Sequence, residues 1–120
     1  MERTILLIES DAALRRRYRK FLEFEGYRVV SAGDEPTAHQ MISRTGILDM
    51  VIAAVTSPSS GALESLLDEL PNIPVLLTCE PGAPPTELPY PSLTKPVPPE
   101  RLVFKVEQLL PVRQRSAPSV

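Results

Sequence analysis

Two kinds of stretch alternate along the chain. Short, mainly apolar runs fall at residues 5–8 (ILLI), 27–32, 50–55 (MVIAAV), 74–79 (PVLLTC) and 92–94. The run 50–55 is too short for a buried helix and is β-branched at Val51, Ile52 and Val55, which suits a central parallel strand covered on both faces. Between the runs, apolar residues recur with helical spacing. Leu14, Tyr18, Phe21 and Leu22 form a stripe over residues 10–25, and Ala38, Met41 and Ile42 one over 35–44. Leu63, Leu66, Leu67 and Leu70 do so over 62–70, and Leu102, Val103, Val106, Leu109 and Leu110 over 99–110. Ser10 or Asp11 can cap the first helix and Asp34 the second, where Pro36 is tolerated in the first turn. Gly26 and Gly46 are placed to end these helices. The order β-α-β-α-β-α-β-loop-β-α predicts a parallel sheet with helices on both faces.

Composition changes this picture at one place. Eight of the 14 prolines lie between residues 80 and 99, and five fall within residues 80–91, where each removes a backbone donor and clashes with the preceding turn. That segment is predicted to be a loop. A chain of 120 residues fits one domain, residues 1–110, with a polar tail at 111–120 expected to be disordered. The net charge of −2 argues against nucleic-acid binding, and the basic cluster Arg15, Arg16, Arg17, Arg19 and Lys20 is read as a solvated helix face. No apolar segment approaches the ~20 residues that span a bilayer, and residues 1–3 lead straight into a strand with no signal-peptide pattern. The single cysteine, Cys79, excludes an intramolecular disulfide; it is expected to behave as a small core hydrophobe in a reducing, cytoplasmic compartment. The single histidine, His39, has no ligand partner in sequence and is assigned no role.

In open α/β sheets, chemistry gathers at the carboxyl ends of the strands. Here the central strand ends in Thr56-Ser57-Pro58, and residues 50–60 hold no carboxylate, thiol, imidazole or amine. That edge therefore lacks a strong nucleophile. The hydroxyl-rich loop 56–61 could bind an anion through backbone N–H groups ahead of the next helix, although capping and turning by Ser59 and Ser60 is the commoner use of such residues.

Four motifs in order, ILLIESD after the first strand, LDMVIAAVTSP around the third, LLTC at the fourth and LTKP at the fifth, make residues 3–110 resemble a response-regulator receiver domain of two-component signalling. The resemblance implies a flavodoxin-like, doubly wound five-stranded parallel sheet of order 2-1-3-4-5. The fourth helix would be shortened or replaced by the Pro-rich loop 80–91. It also implies a site. The two positions that hold magnesium in the family match Glu9 and Ser10, with Asp11 one step further on; a neutral hydroxyl at Ser10 costs the ion a hard anionic ligand. The phosphoacceptor aspartate matches Ala54, whose methyl group can neither attack phosphorus nor ligate metal. Thr78 matches the switch hydroxyl, Lys95 the lysine that pairs with the phosphoryl group, and Pro96 a proline with a cis peptide bond before it; the switch aromatic is replaced by Ser92.

The resemblance thus implies a pseudo-receiver. This would be a non-enzymatic, phosphorylation-independent interaction module with a remnant pocket of Glu9, Ser10, Asp11, Thr78, Lys95 and Pro96. Lys95 is expected to pair with Glu9 across the sheet edge, because a buried charge needs a partner. No cofactor is expected; magnesium binding, for which Glu9 and Asp11 are the weak candidates, should be weak or absent. The expected partner is a protein, a second copy included, and neither nucleic acid nor membrane. Its surface would be the Pro-rich loop with the last helix: Pro84, Pro85, Leu88, Tyr90, Arg101, Phe104 and Lys105. The alternative is a receiver still phosphorylated, in a phosphorelay, at a displaced acceptor, Glu9 or Asp11. A flavodoxin-like cofactor binder ranks last, since Glu9 and Asp11 would repel a phosphate from the first loop.

Overall fold

The computed structural model describes residues 2–55, 61–82 and 88–110. Its elements are β1 (Thr4–Ile8), α1 (Ala12–Phe24), β2 (Arg28–Ala32), α2 (Glu35–Thr45), β3 (Met50–Val55), α3 (Ala62–Asp68), β4 (Val75–Cys79), β5 (Ser92–Thr94) and α4 (Pro99–Leu109). All strand pairs are parallel, in the order β2-β1-β3-β4-β5, so the six-residue run at 50–55 forms the centre of the sheet.

Strand alternation divides the core into two layers. Ile5, Leu7, Met50, Ile52, Leu76 and Leu93 pack with Tyr18 and Leu22 of α1 and with Leu102, Val103 and Val106 of α4. Leu6, Ile8, Val51, Ala53, Val75 and Leu77 face the other way, towards Ala38 of α2 and Leu63, Leu66 and Leu67 of α3. Helix α1 begins at Asp11, whose side chain accepts from Leu14 N–H, and the chain leaves it through Gly26 at φ 99°. Asp34 caps α2 by accepting from Thr37 N–H; that contact holds its carboxyl below the usual range.

Among the described residues no helix lies between β4 and β5, as five prolines in twelve residues dictate. Strand β5 is a three-residue edge strand flanked by Pro91 and Pro96, a short and blunted edge. The expected tail 111–120 and the loop serines Ser59 and Ser60 lie outside the described residues. Cys79 departs from expectation: at the open end of β4 it is only partly buried, so it is not a core residue. No helix of the described residues is long and apolar enough to cross a membrane.

Candidate functional site

The register of the sheet assembles the site. Ile8 pairs with Ala53, Ala54 with Thr78, Thr78 with Leu93 and Cys79 with Thr94. The alternation that sends Leu7, Ile52, Leu76 and Leu93 to the α1/α4 layer carries Glu9, Ala54, Thr78 and Lys95 to the same side of the carboxyl edge. Glu9 and Thr78 are both 2% exposed, and Ala54 is partly buried.

Lys95 Nζ lies 3.0 Å from Glu9 Oε1, with side-chain exposures of 13% and 2%. Glu9 Oε2 accepts the Asp11 N–H at 3.0 Å, whereas Oε1 receives no directed hydrogen bond and depends on the charge of Lys95. The Lys95 ammonium also reaches Glu80 Oε2 at 3.2 Å. Burial alone lowers the Lys95 pKa, but the contacts with Glu9 and then Glu80 outweigh it, and the net shift is upward. The Lys95–Pro96 peptide bond is cis.

Second contacts brace this cluster. Arg15 Nη1 donates to the Glu9 carbonyl at 2.7 Å and lies over Gly33, where a Cβ would meet it at 3.2 Å. The Tyr18 hydroxyl donates to Val97 O at 3.0 Å, tying α1 to the segment that follows Lys95. Burial raises the Tyr18 pKa, with Lys95 opposing the shift. A groove of about 520 Å³ opens beside the cluster, lined by Arg17, Tyr18, Glu80, Pro81, Lys95 and Pro99 among others.

The sequence-derived residues divide as follows. Glu9, Ala54, Thr78, Lys95 and Pro96 gather at one edge, while Ser10 is exposed and the Asp11 carboxylate is spent on its own helix terminus. Of the expected partner surface, Pro84 and Pro85 lie outside the described residues. Arg101 and Phe104 are exposed, Phe104 at 60%, and Lys105 is half-buried. Leu88 and Tyr90 are half-buried against the α2/α3 layer, so they and α4 flank the edge strand from opposite faces. Glu80 was not singled out from sequence, because its link to Lys95 rests on the pairing of β4 with β5. It follows Cys79 as Lys95 follows Thr94, and those two residues are in register.

The profile of the family described as flagellar regulatory protein FleQ matches residues 4–103. The chain belongs to the FleQ family. No curated protein matches it. Among solved structures, this FleQ-family chain is similar to the receiver domain of the hybrid histidine kinase CckA, with 26% identity and a TM-score of 0.76 over 90% of this chain and 99% of that one. The chemotaxis protein CheY4 of Vibrio cholerae gives 19% identity and 0.77 over 92% and 100%. NtrX from Brucella abortus gives 22% and 0.79 over 92% of this chain but 26% of that one. The FleQ-family chain is thus a response-regulator receiver domain with the flavodoxin-like order 2-1-3-4-5, a signalling module by kind.

Proposed function

We propose that this receiver is a pseudo-receiver: its state is set by protein contacts, not by an aspartyl phosphate. The observation that carries this reading is Ala54, in register with Thr78 where the receiver family places its acceptor. The site's remaining charges are already matched to one another, Lys95 to Glu9 and Glu80. The donors near Ala54 suit magnesium poorly. Glu9 is engaged with Lys95 and the Asp11 N–H, Asp11 caps α1, and neither Ser10 nor Ala54 brings a charge, so two of the anionic ligands that a hard cation needs are lacking. The same contacts disfavour Glu9 or Asp11 as a displaced acceptor. A cytoplasmic protein partner, a second copy included, would bind the exposed side of α4 around Arg101 and Phe104 and the adjoining β4–β5 connection.

The test is incubation with magnesium and a small acyl-phosphate donor, followed by intact mass measurement. The expected result is an unchanged mass. Gain of one phosphoryl group overturns the proposal, and peptide mapping then identifies the acceptor.

A further inference from the structure

The basic cluster of α1 has a counterpart on α4. Both helices start at the carboxyl edge, cover the same layer and run back along the sheet, so they lie side by side and parallel. On α1 the exposed residues Arg17, Lys20 and Phe24 form one stripe, and on α4 the exposed residues Glu100, Phe104 and Glu107 form another. Arg17 and Glu100 line the same groove, which sets the two stripes level at one end. Burial, then the Glu107 carboxylate, raises the Tyr27 pKa, in keeping with Glu107 on the α1 side of α4. Among the described residues, Arg17, Lys20, Glu100 and Glu107 join no ion pair. Phe24 is 87% exposed and Phe104 60%.

We infer that this face binds a second copy of the chain about a two-fold axis parallel to α1 and α4, so that each α1 lies on the other copy's α4. Charge selects that arrangement. A two-fold axis running across the helices sets α1 on α1 and α4 on α4, like charge on like. The parallel axis sets a basic stripe on an acidic one, and does so twice, because an isologous contact repeats every pair. The spacings agree. Arg17 to Phe24 and Glu100 to Glu107 are each seven residues, about 10.5 Å of helix. Arg17 then meets the partner's Glu100, and Lys20 reaches the ring of the partner's Phe104. Exposed ion pairs alone are weak, and the two phenylalanines supply the apolar area that such a contact needs. The inference goes beyond the pseudo-receiver reading. It names the partner, holds whether or not the chain takes up a phosphoryl group, and leaves the Arg101 side of α4 open.

Sedimentation equilibrium of the whole chain, without any phosphoryl donor, reads this separately from the mass test above. At low salt the chain is expected to approach twice the monomer mass as concentration rises, and to dissociate as sodium chloride is added, because exposed pairs are screened. Reversing one stripe, by Arg17→Glu with Lys20→Glu or by Glu100→Lys with Glu107→Lys, is expected to weaken self-association about tenfold or more. An equimolar mixture of the two reversed proteins is expected to dimerise again, since each basic stripe then meets an acidic one; this also shows that both are folded. Arg101→Glu, on the neighbouring stripe of α4, is expected to leave the dimer unchanged. A wild-type chain that stays monomeric overturns the inference and leaves the face to a different protein. Dimers that survive either reversal, or a mixture that stays monomeric, overturn it as well.

Discussion

Lys95→Met strands the Glu9 carboxylate at 2% exposure with one oxygen lacking any directed hydrogen bond. Breaking a buried pair from one side is expensive, and here the expected loss is about 3 kcal/mol, the low end of the usual range because Lys95 keeps some exposure. Glu9→Leu combined with Lys95→Met should recover most of that loss, since apolar residues replace both charges. Urea denaturation of the single and double variants checks this; a double variant no better than Lys95→Met would mean that Glu9 is stabilised by something other than the ammonium. The pair also fixes a pH dependence. The folded-state pKa of Lys95 is raised, so its contribution is fully present below the ordinary value of 10.5 and is lost as pH rises through the raised value. Tyr18 and Tyr27 shift upward as well and act in the same direction. The Lys95 share is therefore the alkaline slope that Lys95→Met removes.

At the scale of elements, α1 links the core to the site. Tyr18 belongs to the buried stripe of the helix, yet its hydroxyl reaches Val97 O, 79 residues away in sequence. Tyr18→Phe keeps the ring and leaves a buried carbonyl unpaired, so a cost of about 1–3 kcal/mol is expected, along with faster hydrogen exchange around Val97. Unchanged stability in a thermal melt would show that water satisfies that carbonyl. The periodicity of Leu14, Tyr18, Phe21 and Leu22 made the helix legible, but not what the hydroxyl does, because an apolar stripe records only which side faces inward. The run 50–55 was equally legible as the central strand, and its end made Ala54 readable. Glu80 was missed because it acts through a rung that exists only once strands are in register, and Arg15, read as part of the solvated basic face, is partly buried and donates to the Glu9 carbonyl six residues back. Leu88 and Tyr90 were assigned to the partner surface as part of the Pro-rich loop; the structure turns both onto the α2/α3 layer, where they are partly buried. Cys79 stands at a strand end, where the apolar run stops short of the core.

For the whole molecule, a receiver fold and receiver chemistry are separable. The fold rests on two apolar layers packed against a parallel sheet, and Glu9, Ala54, Thr78 and Lys95 belong to neither layer. The chemistry needs an acceptor carboxylate and enough anionic oxygens to hold a divalent cation beside it. Ala54→Asp supplies only the first. The new carboxylate would sit at the partly buried end of β3, in register with Thr78, and compete with Glu9 and Glu80 for one ammonium. Without an acid at Ser10 to share a metal ion, that excess negative charge has nothing to neutralise it. Ala54→Asp alone is therefore expected to fold less stably and to remain unmodified by an acyl phosphate with magnesium. Ser10→Asp together with Ala54→Asp is expected to gain one phosphoryl group under the same conditions, because the second carboxylate gives the ion its missing ligand. Intact mass and a magnesium titration of both variants decide the matter. Uptake by Ala54→Asp alone would mean that Glu9 and Lys95 still form a working pocket lacking only its acceptor. Failure of the double variant would place the loss deeper, in the prior claim of Glu9 and Glu80 on Lys95.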